Sequence, residues 1–264
     1  MNTKVLILTS YYIPGVKAGG PIQSIKNMVE NLSNKFDFYI ITSDRDLGAK
    51  ESYPNIPADK WIKMENANLF YTDPSNLNAR KLIRIINSIE YDVLYLNSFF
   101  SYKFSILPNL LKKFRFIDNT PIVLAPRGEF SKGALNLKNR KKNLYIKFVN
   151  LCKIYNGITW HATSESEAND IKRIFNSKAN IKVANNLTSN YELMSYDKYI
   201  DKNINELKIV FISRIHPKKN LKKAIQFLNN TNGKVTFNIY GPIEDETYWT
   251  ECKSEIEKLP ENID

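Results

Sequence analysis

Short apolar runs alternate with stretches of helical spacing along the 264-residue chain. Each run has the length and the β-branched composition of a buried strand, and several are followed by apolar residues three or four positions apart. The clearest runs are Lys4–Thr9, Phe36–Thr42, Asp92–Leu96, Pro121–Ala125, Gly157–Ala162, Leu207–Ser213 and Lys234–Tyr240. This alternation predicts an α/β fold, in which mostly parallel strands carry helices on both faces of the sheet.

A polar segment, Leu187–Asn205, interrupts the alternation and shows no strong period. We interpret it as a linker, so the sequence predicts an N-terminal Rossmann-like domain (1–186), a linker (187–206) and a C-terminal part (207–264). A second domain of about 58 residues with two or three strands is small for a doubly wound unit. We therefore expect the C-terminal part to be only the beginning of a second Rossmann-like domain.

The chain is basic, with a formal net charge of +11 at neutral pH, and this charge is unevenly distributed. No Asp or Glu occurs from Phe130 to Ser164, whereas Glu244–Asp264 holds eight acidic and two basic residues. A bias of this kind indicates an anionic partner, which is a phosphate group, a membrane surface or a nucleic acid. The bias alone does not choose among the three.

The two cysteines, Cys152 and Cys252, are far apart and lack the spacing of metal ligands, so we expect free thiols in a reducing compartment. Val5–Leu8 is too short for the apolar part of a secretory signal. No apolar run approaches the ~18 residues of a membrane-spanning helix. Together these features predict a cytoplasmic protein.

The segment Val210–Leu221 places cations directly after a predicted strand. Arg214 follows the strand, and helical spacing continues to Asn230, so we predict a helix with Lys219 in its first turn. Ligands of open α/β sheets bind at the carboxyl ends of the strands, and an anion at the helix N-terminus would offset an unfavourable lysine there. The alternative, that these cations are solvated loop residues, stays open. His216, between the two cations, is predicted to be exposed and near any bound phosphate.

Gly19 and Gly20 follow the first predicted strand and precede Pro21, which suits the first turn of a helix. Two glycines let backbone N–H groups approach a ligand closely. The dinucleotide fingerprint G-x-G-x-x-G is absent, and a Gly-Gly turn alone is weak evidence for a site. The alternative is that the pair only permits a tight connection.

Other polar residues follow later predicted strands. Arg127 and Glu129 come directly after Pro121–Ala125, at the predicted carboxyl end of a strand. The alternative for Arg127 is an ion pair with a neighbouring carboxylate. His161 and Asn185 also end predicted strands and are candidate cleft residues, although such a histidine more often donates to a backbone carbonyl.

The stretch Lys138–Tyr155 predicts a basic amphipathic helix whose apolar positions include Leu144, Phe148, Val149 and Leu151. Two interpretations stay open. A helix of this kind docks on anionic lipid headgroups, or it is a core helix with a lysine-rich outer face.

Five motifs, taken in order, resemble those of family 4 retaining glycosyltransferases of the GT-B fold. The motifs are Gly19-Gly20, A-P-R-G-E at Ala125–Glu129, H-A-T-S-E-S-E at His161–Glu167, S-R-I-H-P-K-K-N-L at Ser213–Leu221 and N-I-Y-G-P at Asn238–Pro242. The resemblance spans the chain, and the segment with Arg214 and Lys219 is its most specific part.

The resemblance implies two facing Rossmann-like domains with a nucleotide-sugar between them. It implies that Arg214 and Lys219 bind the diphosphate of a UDP- or GDP-sugar and that Gly19 and Gly20 offer N–H groups to the donor phosphate or the acceptor. It further implies sugar transfer with retention to a surface glycan or lipid-linked acceptor, peripheral association with the inner membrane face, and no metal or other cofactor.

Two departures from the family pattern stand out. Many relatives carry a histidine where this chain has Arg127, and a guanidinium stays protonated and cannot serve as a general base. The resemblance therefore places Arg127 and Glu129 in the catalytic site, where we expect Arg127 to bind a phosphate or hydroxyl group of a substrate and Glu129 to add polar contacts. The family's E-x7-E motif, which holds the donor sugar and ribose, does not occur before Asp264, so we expect a chain truncated within its second domain.

Two alternative functions stay open. One is a non-catalytic or split-enzyme chain that needs a partner chain. The other is a nucleic-acid-binding protein, which is less favoured because the chain has no nucleic-acid motif.

Overall fold

The computed structural model describes residues 2–136, 139–175, 179–189 and 203–264. By its internal contacts the chain divides into two units, Met1–Glu192 and Leu193–Asp264. This division falls within the predicted linker. Residues 190–202 lie outside the described residues, so the predicted domain boundaries stay predictions.

An eight-stranded sheet forms the centre of the first unit, in the order β3-β4-β2-β1-β5-β6-β7-β8. The strands are β1 (Thr3–Leu8), β2 (Phe36–Ser43), β3 (Trp61–Met64), β4 (Ala67–Thr72), β5 (Val93–Asn97), β6 (Ile122–Ala125), β7 (Thr159–Ala162) and β8 (Asn180–Val183). Every neighbouring pair is parallel except β3 and β4, which are antiparallel. Because parallel strands share one direction, the carboxyl ends of β1 and of β5 to β8 meet at one edge of the sheet.

Helices connect these strands. They are α1 (Gly20–Leu32), α2 (Ala79–Ile86), a π-helix (Tyr102–Ile106), α3 (Leu107–Lys113), α4 (Lys132–Asn136), α5 (Asn139–Leu151) and α6 (Glu165–Phe175). No helix among the described residues is both long enough and apolar enough to cross a lipid bilayer.

The core of the first unit lies on both faces of the sheet, as parallel sheets require. Successive side chains of a strand point to opposite faces. Leu6 and Leu8 accordingly pack in one cluster with Leu82 of α2, whereas Ile7 packs in the other cluster with Ile25 of α1. The central strands are therefore rigidly held, and polar side chains at their carboxyl ends have a fixed support.

Within its described residues, 203–264, the second unit contains two parallel strands and few buried residues. Its elements are β9 (Glu206–Ile212), a 3-10 turn (Pro217–Lys219), α7 (Leu221–Leu228), β10 (Lys234–Tyr240) and α8 (Glu246–Ile256). Its buried cluster consists of Ile215, Leu221, Ile225, Tyr248 and Cys252. Val210, Ile212 and Tyr240 stay exposed on this two-stranded sheet.

One helix prediction is wrong in detail. Lys219 lies in the 3-10 turn, and α7 begins only after Asn220, which has a left-handed backbone. Lys219 therefore does not occupy the first turn of α7, and the argument from the dipole of that helix does not apply to it. β3 lies outside the apolar runs named above, so the alternation of strands and helices does not predict it.

An amphipathic helix buries its apolar residues on one side, and the basic helix α5 does not. It begins at Asn139, and Lys138 lies outside the described residues. Val149 is buried, but Leu144 and Leu151 are 71% and 82% exposed and Phe148 is exposed as well. The apolar residues of α5 thus face both the core and the solvent.

Candidate functional site

Polar side chains from neighbouring strands converge at the carboxyl edge of the first sheet. Tyr95 and Asn97 lie on β5, two positions apart, so both project from the same face of the sheet. Arg127 follows β6, and His161 lies on β7. This is the edge at which α/β sheets bind their ligands.

Arg127 makes three of these contacts, one from each of its three side-chain nitrogens. Its Nε donates to Asn97 Oδ1 at 2.7 Å, its Nη1 to Asn186 Oδ1 at 2.7 Å and its Nη2 to the Tyr95 hydroxyl at 3.0 Å. All three acceptors are neutral. Within the described part of the chain no ion pair with Arg127 is found, so the alternative of a neighbouring carboxylate is not what the geometry shows. The guanidinium is thus held in a fixed direction by hydrogen bonds rather than by an ion pair.

The backbone of the turn that carries Arg127 is unusual. Arg127 and Gly128 have φ values of 54° and 74°, and a left-handed conformation is uncommon for a residue with a side chain. The buried carboxylate of Glu167 accepts from the Gly128 N–H at 2.6 Å and from the N–H and hydroxyl of Thr163. These bonds hold the turn against the strain.

The S-x-x-E spacing at Ser164 and Glu167 predicts a reciprocal capping box at the start of α6. Only half of the box forms: Ser164 Oγ accepts from the Glu167 N–H at 3.2 Å, but the Glu167 side chain does not return a bond to the Ser164 N–H. The Glu167 carboxylate bonds to the Arg127–Gly128 turn and to Thr163 instead. A motif of helix capping therefore also supports the candidate site.

His161 continues the contacts from Arg127 towards β8. Its Nε2 lies 2.8 Å from the carbonyl oxygen of Ala184, and its Nδ1 lies 2.7 Å from the Tyr95 hydroxyl. Because a carbonyl only accepts, Nε2 carries the proton, and Nδ1 of the neutral ring accepts from Tyr95. Burial, with the nearby Arg127 charge acting in the same sense, lowers the pKa of His161 below its ordinary value. The bond to Ala184 O is the contact expected of a histidine with a structural role, which donates to a backbone carbonyl.

Glu129 is bound by its own surroundings. Its carboxylate accepts from the Ser98 hydroxyl at 2.6 Å and from the N–H groups of Phe99 and Phe100 at 2.5 and 3.2 Å. Burial raises the pKa of Glu129 above its ordinary value, although these donors act in the opposite direction. Glu129 therefore fixes the turn after β5, and its direct contact with a substrate stays a prediction.

In the second unit, Arg214 lies at the carboxyl end of β9. Its Nη1 donates to Glu244 Oε1 at 3.0 Å and lies 2.9 Å from Oε2 of the same carboxylate. Both side chains are exposed, and an exposed ion pair is worth only about 0–1 kcal/mol. Glu244 thus orients Arg214 without binding it strongly, and Nε and Nη2 have no bond to Glu244.

Backbone bonds join this segment closely to the end of β10. Ser213 N donates to Tyr240 O, and Ile215 N donates to Pro242 O. Gly241 has a φ of 151°, and a Cβ atom at this position would lie 1.8 Å from Ser213 O. Only glycine lets the two chain segments approach so closely, so Gly241 sets the position of Arg214.

The remaining predicted residues are placed as follows. Lys219 is exposed in the 3-10 turn, and His216 Nδ1 caps that turn by accepting from the Lys218 N–H at 3.1 Å. Asn185 is exposed beyond β8. Gly19 is the N-cap of α1 with a φ of 64°, and neither it nor Gly20 has an atom within 4 Å of the position of a Cβ. The prediction that His161, His216 and Asn185 line one cleft stays a prediction.

Loop residues before α1 are anchored by Asp46. Its carboxylate accepts from the N–H groups of Val16, Lys17 and Leu47. Burial alone would raise the pKa of Asp46, but these bonds outweigh it and lower the pKa below its ordinary value.

Among the residues that the structure describes, no group of three or more His, Cys, Asp or Glu side chains is placed to hold a metal ion.

Several residues of the site are absent from the sequence predictions, namely Tyr95, Asn97, Asn186, Glu167 as a turn anchor, Gly241 and Glu244. Strand alternation places Tyr95 and Asn97 on one face of β5, so that signal was present in the sequence. The others bond to residues 28 to 59 positions away, and no local pattern reports such contacts.

Comparison with known proteins gives matches among solved structures only. No family model matches the chain, and no curated protein matches it. The Anabaena protein HepE (Alr3699) in complex with UDP-glucose is 14% identical, with 99% of this chain and 68% of that chain covered and a TM-score of 0.60. The E. coli structure described as trehalose-6-phosphate bound with UDP-2-fluoro glucose is 10% identical, with 97% and 68% covered and a TM-score of 0.53.

These similarities concern the fold. They confirm the predicted class, a GT-B-like α/β protein with a largely parallel, Rossmann-like sheet in its N-terminal unit. HepE is also known with UDP and glucose bound, at 11% identity, with 100% of this chain and 68% of that chain covered and a TM-score of 0.56.

Proposed function

We propose that this protein is a family 4 type glycosyltransferase, which moves a sugar with retention from a UDP- or GDP-sugar to a lipid-linked or growing surface glycan. The carrying observation is a cation at a carboxyl strand end in each unit: Arg127, fixed by three hydrogen bonds, in the first, and Arg214, oriented by Glu244, in the second. Proteins of similar fold hold UDP-glucose or UDP-2-fluoro glucose, which supports a nucleotide-sugar as the donor.

On the donor side, the proposed roles follow from charge. When the bond between the sugar carbon and the diphosphate oxygen breaks, the electron pair stays on the diphosphate, and negative charge grows there. Arg214 and Lys219 stabilise that charge more in the transition state than in the ground state. The proposal includes no metal ion or other cofactor, because these two side chains supply the positive charge.

On the acceptor side, a hydroxyl group forms the new bond to the sugar carbon, and its proton passes to the departing diphosphate oxygen, which holds the electron pair of the broken bond. Arg127 cannot take that proton, because a guanidinium stays charged. We assign it to binding the acceptor, through a phosphate or hydroxyl group. In this proposal Arg127 positions the acceptor and stabilises negative charge, and it does not accept a proton.

A lipid-linked acceptor would place the enzyme at the cytoplasmic face of a membrane. The absence of acidic residues from Phe130 to Ser164 supports peripheral association with an anionic surface. This localisation is part of the same proposal.

The test is donor binding and turnover in single variants of the second unit. We expect Arg214→Ala and Lys219→Ala each to weaken UDP binding by roughly 10- to 100-fold, since each removes a charge-assisted bond to phosphate. Isothermal titration with UDP measures this directly, and transfer from UDP-glucose or GDP-mannose measures turnover.

Lys218→Ala is the matched control, because Lys218 is an exposed neighbour in the same 3-10 turn. We expect it to bind UDP like the unmodified protein. Unchanged UDP binding in both Arg214→Ala and Lys219→Ala would remove the diphosphate assignment and with it the proposed donor site.

A further inference from the structure

An exposed stretch of chain runs along the candidate site, and polar side chains hold it there. Ala184–Thr188 follows β8 directly, forms no helix or strand, and is exposed at all five positions. Among the described residues, the buried clusters of the first unit include none of these five side chains. We call Ala184–Thr188 the strap. Because it buries little apolar surface, its position depends on hydrogen bonds.

The strand β7 holds the beginning of the strap. The Ala184 N–H donates to Ala162 O at 2.9 Å, and Ala184 O accepts from His161 Nε2 at 2.8 Å. Two positions further along, Asn186 Oδ1 accepts from Arg127 Nη1 at 2.7 Å. The strap thus supplies one of the three acceptors that orient the Arg127 guanidinium.

Two asparagines of α1 hold the end of the strap. Asn27 Nδ2 donates to Leu187 O at 2.8 Å, and Asn31 Nδ2 donates to Thr188 O at 3.0 Å. The two asparagines are four positions apart and therefore lie on the same face of the helix. Leu187 and Thr188 come directly after Asn186, so these two bonds fix the chain that carries the acceptor for Arg127.

Asn27 is an unusual residue for its place in α1. The other buried residues of this helix are Ile22, Ile25 and Val29, and Asn27 is only 6% exposed. Asparagine is a poor helix former, and a buried amide costs free energy unless it is hydrogen-bonded. Both ends of this amide are bonded, because Oδ1 accepts from Gln23 Nε2 at 2.6 Å while Nδ2 donates to the strap. Packing alone would be served by an apolar side chain, so the amide indicates a task outside the helix.

We propose that Asn27 and Asn31 are positioning residues for the candidate site, which act on Arg127 through the strap and Asn186. Without their bonds the strap is held by β7 alone, and Asn186 is free to move away from Arg127 Nη1. Arg127 then keeps two of its three hydrogen bonds and loses the one from Nη1. That this arrangement serves an acceptor rests on the proposed function, but that it orients Arg127 does not.

The direct test is the mobility of the Arg127 guanidinium in the double variant Asn27→Leu with Asn31→Leu. Leucine is close to asparagine in size but cannot donate, so this change removes both bonds to the strap and preserves the packing of α1. The guanidinium N–H signals of Arg127 in proton–nitrogen NMR spectra are assigned by their absence from Arg127→Lys. We expect these protons to exchange with water roughly three- to tenfold faster in the double variant, which is the effect of losing about one hydrogen bond.

Asn109→Leu is the matched control. Asn109 is also a buried helix asparagine, 3% exposed in α3, and its Nδ2 donates to Ile154 O at 3.2 Å. That bond joins α3 to the chain after α5 and does not involve the strap. We expect the Arg127 protons to exchange in this variant as in the unmodified protein. Equal acceleration in Asn109→Leu, or none in the double variant, would overturn the proposal.

A single variant keeps the test independent of folding defects. Asn31→Leu alone changes a half-buried side chain, and we expect it to fold and to accelerate the exchange of the Arg127 protons less than the double variant does. Thermal unfolding verifies that each variant is folded. A lower Tm with unchanged Arg127 exchange would mean that these asparagines only stabilise the fold, and it would overturn the proposal.

Kinetics extend the test to the proposed function. We expect the double variant to raise KM for the acceptor by roughly three- to tenfold. We expect kcat and UDP binding to stay nearly unchanged, because weaker binding of the acceptor before and during the reaction changes KM alone. If the unmodified protein transfers no sugar, the proposed function fails, and the NMR comparison still decides whether the strap orients Arg127.

Discussion

At the residue scale, Arg127 shows how a charge is held ready for a ligand. Three neutral acceptors fix its guanidinium, and none of them removes its charge. Its left-handed backbone costs about 1–3 kcal/mol, and the Glu167 carboxylate holds the following turn. A strained residue kept in place by buried partners at the carboxyl edge of a sheet is typical of a binding site rather than of packing.

The first prediction concerns the shape of this side chain. Arg127→Lys keeps the charge but cannot donate to Asn97, Asn186 and Tyr95 at once, because an ammonium lacks the planar fork. We expect kcat/KM for the acceptor to fall by roughly 10- to 100-fold, with UDP binding unchanged. Steady-state transfer at varied acceptor concentration measures this. Arg115→Lys, which makes the same change at an exposed arginine after α3, is the control, and an equal loss there would contradict the assignment.

The second prediction concerns pH. The pKa of His161 in the folded protein lies below its ordinary value of about 6.5. Between the ordinary and the lowered pKa the unfolded chain binds more protons, so the free energy of unfolding falls as the pH falls. We expect the Tm of the unmodified protein to drop between about pH 8 and about pH 5, and His161→Gln to drop less.

Four neighbours face this ring: the Ala184 carbonyl oxygen, which accepts from Nε2, Tyr95, which donates to Nδ1, and the charges of Arg127 and Glu167. The raised pKa of Glu129 acts with the opposite sign at lower pH, and comparison between variants cancels it. His216→Gln controls for the loss of a histidine. A pH dependence that is equal in all three proteins would remove His161 as its source.

Sequence reasoning located Arg127 and His161 because each follows an apolar run, and the end of a parallel strand is where ligands bind. It did not locate Asn186 or Glu167, since the partners of these residues are distant in the chain. The direction of the Arg127 side chain depends on those partners. Strand alternation would have placed Tyr95 and Asn97 beside it.

At the element scale, the two strands of the second unit explain why Arg214 is where it is. β9 and β10 run parallel in register, and the bonds continue beyond their ends through Ser213 and Ile215. Gly241 permits this continuation, because any side chain there would collide with Ser213. The N-I-Y-G-P motif thus positions a cation on the neighbouring strand.

The third prediction is that Gly241→Ala destabilises the second unit and weakens UDP binding together. A Cβ atom 1.8 Å from Ser213 O forces the segments apart, at a cost of about 2 kcal/mol or more. Urea unfolding and UDP titration measure the two effects. Gly133→Ala is the control, since a Cβ there meets no atom within 4 Å and its φ is not positive. A stable Gly241→Ala variant with normal UDP binding would contradict this account.

Elements with long apolar runs could be predicted from the sequence, because burial on both faces leaves a clear signal. β3 could not, since it is four residues long and half exposed at one edge of the sheet. The side that α5 buries could not be predicted either. Its apolar residues lie all around the helix, so periodicity alone does not tell a core contact from an exposed stripe.

At the scale of the whole molecule, the two units differ greatly in the size of their sheets and of their buried clusters. The first has eight strands with a buried cluster on each face, whereas the second has two strands and five buried residues in its cluster. A two-stranded sheet is at best marginally stable in water. The alternation of strands and helices predicts the same class for both units and carries no information on this difference.

The fourth prediction is that hydrogen exchange separates the two units. We expect amides of β9 and β10 to exchange faster than those of β5 and β6, because local opening needs less free energy where few apolar contacts are lost. Mass spectrometry of exchanged peptides measures this. Equal protection in both sheets would show that the second unit is stabilised by contacts beyond its own cluster.

Ligand binding provides the internal check of that experiment. A nucleotide that binds only the folded second unit adds RT ln(1 + [L]/Kd) to its free energy of opening, about 2.7 kcal/mol at a hundredfold excess over Kd. Saturating UDP should therefore slow exchange around residues 213–221 and 241–244, and leave β5 and β6 unchanged. In Arg214→Ala the same UDP concentration should protect these residues less, and equal protection would place the nucleotide elsewhere. The least stable part of the molecule is thus the part whose order depends most on the proposed donor.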